Sequence, residues 1–192
     1  GKVVSGSMMT TLIADYLSEK KDNLKVVYNV NVSPHALSIL ESKNISLFRC
    51  KVGHSNIKAM MKELNADFGG EHSAHFYYKD NYFADSAILT LLMLMSIISE
   101  GGEKLSSMVD NYNFPPSSGE INFTVENVDS SLEKIKTVFP GNFDELDGLS
   151  YFDENFWFNV RGSNTEPKLR LNIEAPSQKI LEEVLEKIST NI

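Results

Sequence analysis

Between Asn113 and Gly119 the chain reads Asn-Phe-Pro-Pro-Ser-Ser-Gly, and no helix or strand can run through it. Each proline removes a backbone donor and fixes its own φ, and the flanking Ser and Gly favour turns. The segment separates two stretches with different grammars. Upstream, short β-branched runs alternate with helical patterns. Strands are predicted at residues 24–29, 46–50 and 76–78. Helices are predicted from the Ser33-Pro34 start to about residue 43, over 56–64, from an Asp85 cap to about residue 99, and over 104–111. In the second of these helices Ile57, Met60, Met61 and Leu64 recur at i, i+3, i+4 and i+7, the mark of one buried face. Such alternation predicts an α/β three-layer domain with a mixed, largely parallel sheet. Downstream, strands at 120–125, 156–160 and 169–173 accompany helices at 129–138 and 178–188. Strands adjacent in sequence with no helix between them pair antiparallel, so a small α+β domain with an antiparallel sheet is expected. The expected division is 1–113, a linker at 114–119, and 120–192.

Across 192 residues, 26 Asp and Glu outnumber 18 Lys and Arg, for a net charge of −8. That balance argues against nucleic acid or an anionic membrane as the main partner. An anion would have to be held by a local concentration of donors. The single cysteine, Cys50, permits no intrachain disulfide and reads as a buried strand residue rather than a nucleophile, which fits a cytoplasmic protein. The most apolar stretch, residues 87–98, is too short to cross a bilayer, which takes about 20 residues; a helix packed deep in a core is expected there. Residues 1–6 lack the features of a secretory signal. With Gly1 opening a strand-like Lys2-Val-Val4 and no initiator Met, the chain reads as a piece of a longer polypeptide.

Two loops carry chemistry. In Asn159-Val-Arg-Gly-Ser-Asn-Thr-Glu-Pro-Lys-Leu-Arg-Leu-Asn172, two strand patterns flank Arg161, Gly162, Ser163, Asn164 and Thr165. A phosphate dianion is suited by a planar guanidinium, short hydroxyl donors and converging backbone N–H groups. Gly162 would let the backbone come close, and Pro167 would stiffen the exit. The same residues could also make a polar hairpin that satisfies only its own backbone.

The second loop, Gly69-Gly-Glu-His-Ser-Ala-His75, gathers a carboxylate, a hydroxyl and two imidazoles. Glu71 and Ser73 alternate and could face one side of a cleft, where a carboxylate accepts from two adjacent sugar hydroxyls. The alternative is a strand-exit loop with solvated side chains. A metal site is disfavoured by the spacing, because no second cluster supplies more ligands, apart from a single His54. Upstream, Lys51-Val-Gly-His54 places His54 at a predicted helix start, where the dipole favours a neutral imidazole; His54 could equally cap the helix and Lys51 be solvated.

The string Arg161-x-Ser-Asn-Thr-Glu-Pro167 resembles the phosphate-binding loop of the last domain of the α-D-phosphohexomutases. Gly70-Glu-x-Ser-Ala-His75 resembles the sugar-binding loop of their third domain, and Lys51-Val-Gly-His-Ser55 a neighbouring segment. The resemblance covers nearly the whole chain. It implies the C-terminal half of a four-domain isomerase of carbohydrate metabolism, most similar to phosphomannomutase/phosphoglucomutase members. Glu71 and Ser73 would grip ring hydroxyls, His75, His54 and Lys51 would lie near the substrate, and residues 161–165 would bind phosphate. The family's phosphorylated serine and its Asp-x-Asp-x-Asp magnesium loop have no counterpart in this sequence. The resemblance therefore implies Mg2+, the phosphoprotein step and a hexose 1,6-bisphosphate intermediate only for a longer parent, with hexose phosphates and the missing N-terminal domains as partners. It also implies a last domain that closes over the substrate about the Pro-Pro linker. Asn164 and Ala74 tilt the resemblance toward mannose phosphate, with glucose possible. A phosphoglucosamine mutase half would carry glycine at 164. A stand-alone sugar-phosphate-binding module is the alternative of a different class. Asn31 stands where a basic residue is common in related enzymes.

Overall fold

The computed structural model describes residues 3–163 and 166–192. The chain divides into two compact units, 1–114 and 115–192.

The first unit runs α1 (Gly6–Lys20), β1 (Lys25–Asn29), α2 (Pro34–Glu41), β2 (Ser46–Cys50), α3 (His54–Leu64), β3 (Phe68–Gly70), β4 (Phe76–Tyr78), β5 (Ala84–Asp85), α4 (Ala87–Gly101) and α5 (Leu105–Asp110). Its sheet has the order β2-β1-β3-β4-β5. The first three strands are parallel, and β4 and β5 join antiparallel. Strand side chains alternate between two cores. Val26, Phe68, Phe76 and Tyr78 pack with Leu12 and Ile13 of α1, Leu40 of α2 and Ile97 of α4. Val27, Cys50 and Tyr77 pack with Ile57 and Met61 of α3 on the other face. The expected three-layer α/β domain with a mixed sheet is the architecture found.

The second unit runs β6 (Ile121–Thr124), α6 (Val128–Val138), β7 (Phe143–Asp144), β8 (Leu149–Phe152), β9 (Trp157–Gly162), β10 (Lys168–Glu174) and α7 (Gln178–Ser189). The order is β6-β10-β9-β8-β7, antiparallel throughout. One face is apolar: Leu149, Tyr151, Phe158, Val160, Leu171 and Ile173 pack against Ile135 of α6 and Leu181, Val184 and Ile188 of α7. This is the small α+β domain that the sequence predicts.

Several expectations need correction. No strand occupies Val3-Val4; Val3 is exposed, and Ser5 caps α1 by accepting from the Met8 N–H. The α1 helix was not anticipated. Ser86, not Asp85, caps α4, accepting from the Leu89 N–H, because Asp85 is engaged in β5. Nor does α4 lie deep in a core. Only Thr90 and Ile97 are buried, while Ile88, Leu91, Leu92 and Met95 are 73, 58, 53 and 58% exposed. One side of α4 meets the sheet, and the opposite side, equally apolar, has nothing packed on it among the described residues of this unit. Among the described residues no helix is long and apolar enough to cross a membrane.

Candidate functional site

The carboxyl ends of β1, β2 and β3 lie side by side, with Asn29 opposite Cys50 and Tyr28 opposite Gly70. In an open α/β sheet this is the edge where ligands bind, since the chain leaves each strand there into a loop or a helix start. Three loops meet the edge: 30–33 before α2, 51–53 before α3, and 71–75 between β3 and β4.

The approach to the third loop is shaped by two glycines. A Cβ on Gly69 would lie 2.6 Å from Met61 Sδ and 3.3 Å from Tyr77 Cβ; one on Gly70 would overlap Thr10 of α1. Two helices thus press on β3 from opposite sides just before Glu71. The start of α1 also touches the loop, since a Cβ on Gly6 would overlap the carbonyl oxygens of Glu71 and His72. Ser7 Oγ is hydrogen-bonded to His72 Nδ1 at 2.9 Å and accepts from the Ser33 N–H at 3.1 Å, which ties the first and third loops to α1.

The loop itself is a tight turn. Glu71 N–H donates to His75 O and Ala74 N–H to Glu71 O, each at 3.0 Å. Ala74 sits at φ 63°, in the left-handed region. This turn overrides the expected alternation. Glu71 points inward and is 3% exposed, whereas Ser73 and His75 are exposed, with Ser73 Oγ 3.1 Å from His75 Nδ1. Glu71 is therefore not a solvated loop residue. Its Oε1 accepts from the Tyr77 hydroxyl at 2.5 Å and its Oε2 from Asn29 Nδ2 at 2.9 Å. No Lys or Arg pairs with it among the described residues. Burial, and then the carboxylate it donates to, push the Tyr77 phenol far up.

His54 is the first residue of α3, exposed, with Gly53 at the cap position and no side-chain capping bond. Lys51, just past β2, is exposed as well. Asn31 is buried; its N–H donates to Asn29 Oδ1 at 3.2 Å, and its own Oδ1 has no partner among the described residues.

In the second unit β9 runs on to Gly162, so Arg161 and Gly162 belong to the strand and the loop begins at Ser163. The ladder with β10 holds them, pairing Arg161 with Arg170 and Gly162 with Leu169. Ser163 N–H closes the hairpin onto Lys168 O at 2.8 Å. What comes close at Gly162 is Val128 of α6, whose Cγ1 would lie 2.9 Å from a Cβ. Asn164 and Thr165, expected in the phosphate loop, lie outside the described residues. Arg161 is 8% exposed, and its Nε has no partner among the described residues. Arg170, directly across from it, presents a second guanidinium on the same face of the sheet, and both address one carboxylate. Glu120 Oε1 lies 3.0 Å from Arg170 NH1, and Oε2 lies 3.8 Å from Arg161 NH2. Two cations against one anion leave a surplus positive charge beside the hairpin.

Residues 5–113 match the phosphoglucomutase/phosphomannomutase alpha/beta/alpha domain III, and residues 120–190 match the C-terminal domain of the same family. The chain belongs to the phosphoglucomutase/phosphomannomutase family. A phosphomannomutase of Methanocaldococcus jannaschii is 39% identical over 193 residues, covering all of this chain and 43% of that relative. The chain thus spans less than half the length of the curated relative it matches. A phosphoglucomutase/phosphomannomutase family protein of Burkholderia thailandensis superposes with a TM-score of 0.86 at 23% identity, over all of this chain and 42% of that one. An N-acetylphosphoglucosamine mutase of Aspergillus fumigatus, solved with GlcNAc-6P and magnesium, superposes with a TM-score of 0.75 at 14% identity, over 99% of this chain and 44% of that one. The last two likenesses concern the fold.

Within this phosphohexomutase half, no group of three or more His, Cys, Asp or Glu side chains could hold a metal ion among the described residues. The described residues do not fit a magnesium site. Sequence reasoning missed Tyr77, Asn29, Arg170 and Glu120. Arg170 was within reach: in a hairpin, Arg161 and Arg170 are equidistant from the turn, so pairing 162 with 169 places them opposite each other. Tyr77 and Asn29 carry no such signal, because they arrive from the strands on either side of β3.

Proposed function

We propose that this chain is the substrate-binding half of a phosphohexomutase that interconverts hexose 6-phosphate and hexose 1-phosphate, with mannose the favoured sugar and glucose the alternative. The observation that carries the reading is Glu71, a buried carboxylate at the carboxyl edge of three parallel strands, held by two neutral donors and by no cation among the described residues. Its charge is left for a ligand, and a carboxylate with free lone pairs suits two neighbouring sugar hydroxyls. Ser73 and His75 are exposed on the same loop, and Lys51, just past β2, and His54, which opens α3, are exposed at the same edge of the sheet. In the second unit the surplus charge of Arg161 and Arg170, with Ser163 and the segment 164–165, suits a phosphate dianion.

Holding a sugar and its non-reacting phosphate is positioning catalysis, in which remote binding energy orients the reacting end. A mutase of this kind passes its phosphoryl group through a phosphoserine and a bisphosphorylated sugar. The serine and the residues that hold magnesium would belong to the part of the protein outside this chain. We place that part against the outer face of α4. Helices apolar on all sides are buried ones, and the relative from Methanocaldococcus jannaschii extends beyond this chain by more than half of its own length. Hydrogen exchange on α4 in the full-length protein should be slower than in this chain alone. Equal exchange refutes that placement, and protection that grows with the concentration of this chain assigns the face to a second copy instead.

The substrate reading is tested by amide NMR on this chain, titrated with mannose 1-phosphate, glucose 1-phosphate and inorganic phosphate. Affinities near the millimolar end, roughly −4 kcal/mol, are expected for half a pocket. Shifts at Arg161 to Ser163 should appear with every ligand and vanish in Arg161→Ala. Shifts at Glu71 and Ser73 should appear only with the sugar esters. Sugar esters that move the phosphate loop alone would refute the role given to Glu71.

A further inference from the structure

A carboxylate buried to 3% exposure without a cation needs hydrogen bonds in place of its lost hydration. Two groups compensate Glu71, one on each oxygen: the Tyr77 hydroxyl on Oε1 and the Asn29 amide on Oε2. A carboxylate offers about four acceptor directions, so one remains on each oxygen. We infer that Tyr77 and Asn29 are positioning residues that fix the plane of the Glu71 carboxylate and aim its remaining lone pairs at a pair of adjacent sugar hydroxyls. The inference rests on the sugar-binding role proposed for Glu71.

Each donor is itself fixed. Tyr77 is fully buried in β4, among Val27, Ile57 and Met61. Tyr77 pairs with Gly69 in the ladder, where an added Cβ would lie 3.3 Å from the Tyr77 Cβ. The Lys58 ammonium lies 5.7 Å from the ring centroid and is held 3.4 Å from Asp85. The Asn29 amide has one sensible orientation: its Oδ1 accepts from the Asn31 N–H, so its Nδ2 must face Glu71. Both donors are neutral. A lysine or arginine in either place would neutralise Glu71 and compete with the sugar; a phenol and an amide orient the carboxylate and leave its charge intact.

The test is steady-state kinetics of the full-length protein with mannose 1-phosphate and with glucose 1-phosphate. Tyr77→Phe keeps the ring and removes one hydrogen bond to a charged acceptor, so KM should rise about tenfold with little change in kcat. Asn29→Asp keeps the shape but sets a second carboxyl against Glu71. Two such groups in contact share a proton at low pH and repel above it. The other charged or titratable groups around them are Tyr77, with Lys58, Asp85 and Cys50 beyond its ring, and His72, His75, His54 and Lys51 on the loops at the same sheet edge; all are unchanged in the variant, so the comparison is with the parent's own pH profile. Asn29→Asp should therefore lose activity at neutral pH and regain it, relative to the parent, as pH falls and the shared proton restores a donor. A residue that merely fills space would show no such recovery. If Glu71→Gln raises KM while Tyr77→Phe and Asn29→Asp keep the parent KM and pH profile, the positioning inference is overturned and the sugar-binding role stands. If Glu71→Gln itself leaves KM and kcat unchanged, the sugar-binding role fails and the inference falls with it.

Discussion

Gly70 is the last residue of β3 before Glu71, and Thr10 of α1 occupies the space a side chain there would need. A Cβ at 70 would overlap Thr10 Oγ1 and come within 2.6 Å of its Cγ2 and 2.9 Å of its Cβ. Thr10 cannot swing away cheaply: it is fully buried, and its hydroxyl donates to Gly6 O at 2.8 Å. Gly70→Ala should thus cost about 2 kcal/mol, within the range for overpacking a filled core. Thr10→Ala loses a buried methyl, worth about 0.8 kcal/mol, and a hydrogen bond of about 1 kcal/mol, partly offset by the better helix propensity of alanine; the net is about 1 kcal/mol. In the double variant the two worst contacts disappear while the 2.9 Å contact persists. Together the substitutions should therefore be less destabilising than independent effects would be, by about 1 kcal/mol. Urea unfolding followed by far-ultraviolet circular dichroism measures all four corners of the cycle. Gly69→Ala is the internal comparison. Its nearest obstacle is Met61 Sδ, part of a flexible chain, so it should cost less than Gly70→Ala. Additivity within about 0.5 kcal/mol would refute the close approach of α1 to β3 as the reason for glycine at 70.

Ala74→Gly should stabilise the chain by about 0.5 kcal/mol, because the left-handed conformation costs an L-residue about 1–2 kcal/mol and glycine gives part of that back in entropy; unfolding midpoints check it, and a loss of stability refutes it. Glu120→Gln should strengthen inorganic phosphate binding a few-fold at low salt, since a partly exposed ion pair of about 0.2–1 kcal/mol no longer competes for Arg161 and Arg170; calorimetry showing equal or weaker binding would count against the arginine pair. Tyr77, Tyr78 and Tyr112 all have phenols raised by burial, to which Tyr77 and Tyr112 add hydrogen bonds to carboxylates. The folded state keeps these protons after the unfolded chain begins to lose them near pH 10, so stability should be intact below that and fall as pH rises above it. An ultraviolet tyrosine titration should show these three ionising only with unfolding; smooth titration in a folded chain would refute their burial.

Much of the fold was legible because its signals are local. The Asn113–Gly119 punctuation, the strand–helix alternation before it and the hairpins after it each depend on residues close in sequence. The α1 helix was legible in principle, since Met9, Leu12, Ile13, Tyr16 and Leu17 recur at helical spacing. Its Ser- and Thr-rich first turns disguise it; Thr10 and Thr11 fit by bonding back to Gly6 O and Ser7 O. The short strands β5, β7 and β8 gave no periodicity long enough to read. At the candidate site the loops could be read but not the direction each side chain takes. Glu71 and Ser73 were expected on one face, and a turn through Ala74 sends one inward and the other out. The partners of Glu71 were invisible for a related reason: Asn29 lies 42 positions away, and only the pairing of β1 with β3 brings it near.

The α4 helix is where a sound inference from sequence and the folded unit disagree most usefully. An all-apolar run is expected to be buried on every side, and the physics behind that expectation is not in error. Met93, Leu94 and Ile97 face the sheet and the helices beside it, as the rule requires. On the far side, Ile88, Leu91, Leu92 and Met95 would together leave water on a contiguous apolar stripe of the kind that marks an interaction surface. If the rule holds for both sides, the missing cover must come from outside the unit. A helix that evolved only to face water would carry charge there, as α3 and α7 do on their exposed sides with Lys62, Glu63, Glu182, Glu183 and Glu186. The contrast among helices of one chain points to a second packing surface on α4.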